Sequence, residues 1–312
     1  MKKIIVTGAA GFIGTNLVLK LAQDESNCII AIDNCITGNG SRFVKLTQSF
    51  KNVFFYEIDI LKSDNMYFGP VDEIYHLASI ASPKFYMKYP LQTLDVGYIG
   101  TKNMLEIAKK YSAKFLFTST SEIYGDPTVP IQSESYFGNV NTVGKRSCYD
   151  ESKRVAESLV YTYNTMYGVN TRIARIFNTY GPYMTFDDGR IIPAIMKSII
   201  NKETLSIFGD GTQTRCFCYV DDTVNGLIKL MDSSYTSPIN IGNNYEITIN
   251  ELIRISNQTL NCNILTEMVS SLENDPKRRC PDLTLAKNIL DWSPTTTLGE
   301  GLVYTYNHVC RS

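Results

Sequence analysis

The stretch IIVTGAAGFIGTNL, residues Ile4–Leu17, determines the fold class of this chain. An apolar run precedes Gly8, Gly11 and Gly14, which are spaced G-x-x-G-x-x-G, and an amphipathic pattern follows them. The apolar run predicts a buried strand, and the pattern after the glycines predicts a helix. Glycines at this spacing allow a tight turn and let backbone amides approach a pyrophosphate at the helix N-terminus. The stretch therefore predicts the first strand–turn–helix unit of a dinucleotide-binding fold.

An acidic residue in the right place strengthens this prediction. Asp33 ends the next predicted strand, nineteen residues after Gly14. A carboxylate there accepts hydrogen bonds from ribose hydroxyls and repels a 2′-phosphate, so the sequence favours NAD over NADP as the cofactor. Asp59, at the end of the third predicted strand, is expected beside the adenine. The remaining residues predicted to bind the cofactor follow the turn and the strand ends: Phe12, Ile13, Asn34, Ile60, Leu77 and Ala78.

The strand–helix alternation continues along the first half of the chain. The predicted strands are 2–8, 28–33, 53–59, 73–78, 114–120 and 170–177, and the predicted helices are 12–24, 91–111 and 148–167. This alternation is typical of an α/β fold with a doubly wound parallel sheet, the Rossmann arrangement. We therefore predict an NAD-binding domain over 1–178 and a smaller, mixed α/β substrate domain over 179–312. A segment of about 216–242 is expected to return to the first domain.

Composition excludes several other classes of protein. The 312 residues carry a net charge of −1 without a block of lysine and arginine, which argues against nucleic acid as a partner. No apolar run approaches the roughly 18–20 residues of a membrane helix, and the glycine turn follows Met1 too closely for a signal peptide. The eight cysteines include the C-x-C of Cys216 and Cys218, without the further ligands of a zinc site. We expect a cytoplasmic protein with free thiols and no metal.

A tyrosine and a lysine replace the usual histidine as candidate proton-transfer groups. Tyr149 and Lys153 are four positions apart in CYDESKRVAE, on one face of a predicted helix. A neighbouring ammonium, together with the positive charge of a nicotinamide, is expected to lower the tyrosine pKa and make it a general base and acid. About one such pair arises by chance in a chain of this composition, and Tyr98 with Lys102 also fits. Only the first pair follows the fifth strand, so we assign it as catalytic and Tyr98–Lys102 as a surface pair.

Longer blocks of sequence add a family resemblance. The glycine turn, Asp33, HLAS, TSTSEIYGDP, RSCYDESKRVAE, RIARIFNTYGP, GDGTQTRCFCYVDD and DPKRRCPD resemble the extended short-chain dehydrogenase/reductase family. Within it, they resemble the UDP-glucuronic acid decarboxylases over nearly the whole chain. The resemblance implies conversion of UDP-glucuronate to UDP-xylose through a UDP-4-keto intermediate, with NAD recycled. We also expect a homodimer, with helices 91–111 and 148–167 forming a four-helix interface.

The resemblance also implies roles for residues of the site. Thr120 is expected to hydrogen-bond the C4 hydroxyl, Glu122 to position the sugar or activate water, and Arg279 to meet the substrate carboxylate. Ser121 stands where related 4,6-dehydratases carry an aspartic acid that protonates a departing hydroxyl, which favours decarboxylation. The other residues implied to bind substrate are Tyr86, Asn178, Arg190 and Arg215, the last as a diphosphate contact with Arg190 as its weaker partner.

The sequence departs from the family pattern at two places, and two alternative functions are considered. Gly97 stands where the family carries asparagine in N-x-x-G-T, and the dipeptide 193–194 is Pro-Ala where the family tends to Ser-Asn. The first alternative is another nucleotide-sugar enzyme, a 4-epimerase or a 4,6-dehydratase, which Ser121 and Arg279 argue against. The second is a non-catalytic NAD-sensing regulator, which the presence of both Tyr149 and Lys153 argues against.

Overall fold

The centre of the fold is a parallel sheet. The structure is a computed structural model that describes residues 1–62, 66, 68–270 and 278–311. Within these ranges seven strands pair in the order β11 (Pro238–Ile241), β6 (Thr171–Ile176), β5 (Lys114–Thr120), β4 (Glu73–His76), β1 (Lys2–Thr7), β2 (Asn27–Asp33) and β3 (Val53–Glu57). All of their pairings are parallel. The predicted doubly wound fold is confirmed, and its topological switch point lies between β1 and β4, where such sheets bind ligands.

Helices cover both faces of this sheet. In the first half of the chain they are α1 (Phe12–Leu21), α2 (Gly40–Thr47), α3 (Pro83–Lys88), α4 (Pro90–Asp95), α5 (Thr101–Tyr111) and α6 (Ser147–Tyr167). Successive residues of β1 enter opposite apolar layers, because Ile4 packs in one core cluster and Ile5 in the other. This explains why the buried centre of the strand, Ile4, Ile5 and Val6, is apolar at successive positions. None of the helices in the described ranges combines the length and apolar character needed to cross a membrane.

The second half of the chain contains shorter elements. The helices are α7 (Ile191–Asn201), α8 (Val220–Asp232), α9 (Ile249–Leu260), α10 (Thr284–Leu290) and α11 (Leu298–Arg311), and the short strands are β7 (Thr179–Tyr180), β8 (Leu205–Phe208), β9 (Thr214–Cys216), β10 (Cys218–Tyr219), β12 (Glu246–Thr248) and β13 (Thr266–Val269). They pair as β7 with β10, β8 with β13 and β9 with β12. Strand β11 joins the main sheet beside β6. The domain boundaries themselves stay predictions.

The predicted helix over 91–111 is interrupted. The packing at the interruption explains why residue 97 is a glycine. A π-helical turn, Val96–Gly100, joins α4 to α5. A Cβ atom on Gly97 would lie 2.6 Å from the Cβ atom of Ser152 and 2.7 Å from its carbonyl oxygen. Ser152 is buried on α6 and donates a hydrogen bond from its hydroxyl to the carbonyl oxygen of Tyr149, at 2.7 Å. Ser152 therefore fills the space that a side chain at position 97 would need.

This packing predicts that positions 97 and 152 are energetically coupled. Gly97→Asn alone forces a side chain against α6 and should lower the free energy of unfolding by roughly 1–3 kcal/mol. Gly97→Asn combined with Ser152→Gly should recover only part of that loss, because the carbonyl oxygen and Cα atom of residue 152 stay 2.7 and 2.9 Å from the new Cβ atom. Urea unfolding of the four variants gives the coupling energy. Gly299→Asn is a matched control, because a Cβ atom there meets Thr259 at an ordinary 3.5 Å; additive effects at positions 97 and 152 would contradict the explanation.

Candidate functional site

A cavity of about 550 Å³ is bordered by residues from both halves of the chain. It is bordered by every residue that the sequence assigned to the cofactor or the substrate: Gly8, Gly11, Phe12, Ile13, Gly14, Asp33, Asn34, Asp59, Ile60, Leu77, Ala78, Tyr86, Thr120, Ser121, Glu122, Tyr149, Lys153, Asn178, Arg190, Arg215 and Arg279. Residues 271 positions apart in sequence therefore share one site. Their individual roles stay predictions.

The glycine turn at one end of the cavity leaves no space for side chains. Gly8 has a φ of +70°, and a Cβ atom there would lie 2.8 Å from the backbone nitrogen of Ala78. A Cβ atom on Gly14 would lie 2.1 Å from the carbonyl oxygen of Gly8. Helix α1 begins at Phe12, so its unpaired amides face this turn. The backbone fits a pyrophosphate, as the dinucleotide prediction requires.

Asp33 is held in a fixed orientation at the end of β2. Its two carboxylate oxygens accept hydrogen bonds from the backbone nitrogens of Ala10, at 3.0 Å, and Cys35, at 2.8 Å. Burial raises the pKa of Asp33, and these two hydrogen bonds oppose the rise. Asp59 also accepts a backbone hydrogen bond, from the nitrogen of Leu61 at 3.0 Å. A carboxylate oriented at the end of β2 suits the ribose hydroxyls of NAD.

Tyr149 and Lys153 are both buried on α6, with exposed fractions of 6% and 4%. The ring of Tyr149 stacks on that of Tyr86, with centroids 5.1 Å apart and planes 8° apart. The Lys153 ammonium donates a hydrogen bond to the carbonyl oxygen of Thr118 at 2.8 Å and lies 4.9 Å from the centroid of the Phe117 ring. The other Y-x-x-x-K pair is outside this cavity, because neither of its residues borders it.

Lys153 together with a nicotinamide was expected to lower the Tyr149 pKa, and in the protein without the cofactor that pKa is raised. Burial raises the pKa of Tyr149 to about 12, although a hydrogen bond with Thr120 lowers it. Burial also lowers the pKa of Lys153 to about 7. The reason is that desolvation disfavours both charged forms, and it is the largest effect on the pKa of each residue. A phenolate at Tyr149 requires further positive charge in the cavity, of the kind that an oxidised nicotinamide ring carries.

A partly buried carboxylate, Glu122 with a side chain that is 16% exposed, connects two arginines beside this pair. Glu122 binds Arg279 through both guanidinium Nη atoms, with Nη2 at 2.5 Å from Oε2, and Nη2 of Arg146 also lies 2.5 Å from Oε2. Burial raises the pKa of Glu122, but the two arginines outweigh it and hold the pKa at about 2. Glu122 is therefore ionised at neutral pH, and Arg279 is already paired. Arg146 was missed at the sequence level, although its charge stands three residues before Tyr149.

Arg190 and Arg215 both border the cavity, Arg190 directly before α7 and Arg215 on β9, and their joint diphosphate contact stays a prediction. The Nε atom of Arg190 lies 3.6 Å from Oδ2 of Asp188, and its charge lowers the pKa of Tyr149. Arg215 lies on β9 and donates a hydrogen bond from Nη1 to the carbonyl oxygen of Thr214 at 2.8 Å. Arg190 therefore acts electrostatically on the tyrosine end of the cavity.

Neither histidine borders the cavity. His76 is 1% exposed, with its ring nitrogens 2.8 Å from Oγ1 of Thr7 and 3.1 Å from Oγ1 of Thr101. Burial lowers the pKa of His76 to about 3, so it is a neutral core residue. In the described part of the chain, no group of three or more His, Cys, Asp or Glu side chains is placed to hold a metal ion.

Known proteins match the sequence of this chain over most of their length. The model of the NAD dependent epimerase/dehydratase family matches residues 4–242. UDP-glucuronic acid decarboxylase 6 of Arabidopsis thaliana is 47% identical over 96% of this chain and 86% of its own length. UDP-glucuronic acid decarboxylase 1 of Xenopus tropicalis is 44% identical over 98% of this chain and 72% of its own length.

Solved structures with a similar fold are sugar-nucleotide enzymes. UDP-glucose 4-epimerase of Thermotoga maritima, solved with UDP-glucose, has a TM-score of 0.91 and 27% identity, with 99% of each chain covered. UDP-glucuronic acid 4-epimerase of Bacillus cereus, solved with UDP-glucuronic acid and NAD, has a TM-score of 0.88 and 28% identity, again over 99% of each chain.

The orientation of Asp33 predicts the cofactor preference. Asp33→Asn removes the charge that repels a 2′-phosphate, so the preference for NADH over NADPH should fall by about tenfold or more, which corresponds to about 1.4 kcal/mol. Fluorescence titration with both reduced cofactors measures it. Asp59→Asn is the matched control and should leave the ratio nearly unchanged. An unchanged ratio in Asp33→Asn would contradict the role of Asp33.

Proposed function

Since this chain belongs to the NAD dependent epimerase/dehydratase family, we propose that it converts UDP-glucuronate to UDP-xylose and CO2. The named relatives in Arabidopsis thaliana and Xenopus tropicalis, which match nearly the whole chain, support this substrate. The site supports it through one observation: Arg279, paired with Glu122, borders the same cavity as Tyr149. The same cavity thus contains a guanidinium that can bind a carboxylate and a phenol that can exchange a proton with a sugar hydroxyl.

The reaction needs a ketone next to the carbon that carries the acid. A hexuronate carboxylate is stable because loss of CO2 would leave an unstabilised carbanion at C5. With a ketone at C4, the electron pair that remains after CO2 leaves is delocalised into an enolate. When bound, NAD would supply reversible hydride transfer, by which the C4 hydroxyl is oxidised to this ketone and the ketone is later reduced back to the hydroxyl. The residues that would hold it are those of the glycine turn, Asp33 and Lys153.

Tyr149 and Thr120 serve the proton transfers at C4. Tyr149 accepts the proton of the C4 hydroxyl as the ketone forms and returns it at the end. Its hydrogen bond with Thr120 lowers its pKa and holds it at the end of β5. Because burial alone keeps the Tyr149 pKa at about 12, the tyrosine becomes a base only when positive charge enters the cavity with the cofactor.

Arg279 binds the sugar carboxylate in exchange for Glu122. The incoming carboxylate competes with Glu122 for the guanidinium, which can bind either one through two nitrogens. This competition limits the net affinity of Arg279 for the substrate carboxylate. A limited affinity suits the reaction, because tight binding of a charge that disappears as CO2 leaves would raise the barrier.

The same groups argue against dehydration. A 4,6-dehydratase needs an acid to protonate the departing hydroxyl, and Ser121 lacks a carboxyl group. Glu122 does not replace it, because the two arginines hold its pKa at about 2. A 4-epimerase shares the first oxidation step, and structures of such enzymes resemble this chain. The identity of the product separates these activities.

We predict that purified protein incubated with UDP-glucuronate and NAD releases CO2 and UDP-xylose. Proton NMR of the reaction distinguishes UDP-xylose from UDP-galacturonate, the product expected of an epimerase. Tyr149→Phe should lower kcat by about 10²–10⁴-fold, because the general base is lost, and should keep cofactor binding. Tyr98→Phe, in the second Y-x-x-x-K pair, should match the wild-type enzyme.

Two results would contradict this assignment. One is UDP-galacturonate without CO2. The other is full activity in Tyr149→Phe, which would place the proton transfer elsewhere.

We also propose that the enzyme is a homodimer. Helices α4 and α6 and the π-helical turn expose large apolar side chains, with exposed fractions of 71% for Leu91, 46% for Tyr98, 67% for Tyr161 and 68% for Met166. Pairing of these helices with their copies in a second chain would bury these side chains in a four-helix interface. All eight cysteines are free, which supports our placement of the enzyme in the reducing cytoplasm.

The interface predicts that a charge on α6 separates the subunits. Sedimentation velocity should give twice the chain mass of 35.1 kDa for the wild-type protein. Tyr161→Glu should shift the protein towards the monomer, because it places a charge at the centre of the proposed interface. Val143→Glu is the control, since that side chain is 84% exposed outside these helices. A dimer that is unaffected by Tyr161→Glu would contradict this interface.

A further inference from the structure

Asp150 is a buried carboxylate that the reaction described so far does not use. It follows Tyr149 on α6 and is 8% exposed. Its Oδ1 atom is buried and has no hydrogen-bond partner among the described residues. An unpaired, buried carboxylate oxygen is costly when it is ionised. A functional account of the site should therefore explain why it is there.

The groups that act on Asp150 come from several parts of the fold. The charged ones are Glu122 after β5, Arg146 before α6, Glu151 on α6 and Arg279 in the C-terminal segment, and the polar neighbours whose own pKa values respond to Asp150 are Tyr86 on α3, Cys148 and Tyr149. Burial and then Glu122 raise the pKa of Asp150, while the two arginines lower it, and the outcome is about 7. Both protonation states are therefore accessible near neutral pH.

Counting formal charges in this cluster gives Asp150 a role. Glu151 is paired with Arg154, Nε to Oε1 at 3.7 Å, so these two charges cancel. Of the remaining charges, Arg146 and Arg279 contribute two positive ones and Glu122 one negative one. With Asp150 ionised the cluster is neutral, and with Asp150 protonated it carries +1. A ligand carboxylate contributes −1, so the occupied site is neutral only when Asp150 is protonated. In a buried site, the neutral combination is the favoured one.

We propose that Asp150 takes up a proton when the carboxylate of a UDP-uronate binds beside Arg279, so that ligand charge and proton enter the site together. This inference rests on the proposed function and adds the group that balances the substrate charge. Asp150 does not border the cavity. It therefore acts through the charges of Glu122 and Arg279, as a positioning residue for the carboxylate.

The proton balance of the reaction agrees with this role. Decarboxylation breaks the C5–C6 bond, forms a C5–H bond and consumes one proton, as R–COO⁻ + H⁺ → R–H + CO2. The cluster is neutral before the reaction, with protonated Asp150 and a bound carboxylate. It is neutral again afterwards, with ionised Asp150 and no carboxylate. The proton acquired on binding equals the proton consumed in the reaction.

Calorimetry in buffers of different ionisation enthalpy measures this proton uptake directly. Tyr149→Phe protein, which binds without turnover, is titrated at pH 8 with UDP-glucuronate and with UDP-xylose, which lacks the carboxylate. UDP-glucuronate should take up nearly one proton, about 0.9 for a group with a pKa of about 7, and UDP-xylose close to none. Above pH 7 the Kd for UDP-glucuronate should rise by up to about tenfold per pH unit, whereas the Kd for UDP-xylose should not.

Second-site variants in the same background locate the proton. Asp150→Asn should abolish the uptake, Asp150→Glu should retain it, and Glu151→Gln, the adjacent carboxylate, should also retain it. Circular dichroism checks that each variant is folded. Equal uptake with both ligands, or uptake that persists in folded Asp150→Asn, would overturn the inference while leaving the proposed function intact. Failure of UDP-glucuronate to bind at all would instead contradict the proposed function, and the inference with it.

Discussion

The ion pair between Glu122 and Arg279 connects segments of the chain that are 157 residues apart. It brings the end of β5, where the sugar hydroxyls are expected, next to the C-terminal segment that carries the carboxylate-binding cation. Buried ion pairs rarely add net stability, because desolvation offsets their attraction. The pair is better explained by function: it keeps Glu122 ionised, keeps Arg279 at the cavity and provides a partner that a substrate carboxylate can replace.

Burial also determines the pKa values of Tyr149 and Lys153. It raises the pKa of the tyrosine to about 12 and lowers that of the lysine to about 7, so the charged form of each is disfavoured in the protein alone. A cofactor that brings positive charge into the cavity reverses this balance at the tyrosine. Proton transfer at the sugar is thereby linked to the presence of the cofactor, without any histidine in the site.

Much of the fold and the position of the cofactor site could be predicted from the sequence, because both follow local rules. Strand–helix alternation and the glycine turn determine the sheet, and the carboxyl ends of parallel strands converge at one edge. The close approach of the π-helical turn to α6 could not be predicted, because it brings Gly97 against Ser152, which is distant in sequence. The pairing of β8 with β13 and of β9 with β12 could not be predicted either, because each joins segments that are distant in sequence.

The electrostatics of the site were the least predictable part. Glu122 forms ion pairs with both Arg146 and Arg279, which come from different segments of the chain. The pKa of Tyr149 depends on how deeply the side chain is buried, and residue spacing does not reveal this. The family resemblance indicated which side chains belong to the site. Only the three-dimensional arrangement shows that Arg279 is already paired and that one carboxylate oxygen of Asp150 is buried without a hydrogen-bond partner.

Decarboxylation of UDP-glucuronate in D2O, followed by NMR of the product, tests the central claim most directly. A transient ketone at C4, formed and reduced within one enzyme, predicts UDP-xylose with one deuterium at C5 and none at C4. The C4 hydrogen is then retained inside the protein, and the C5 hydrogen comes from solvent. Deuterium at C4, or UDP-xylose without deuterium at C5, would contradict the account.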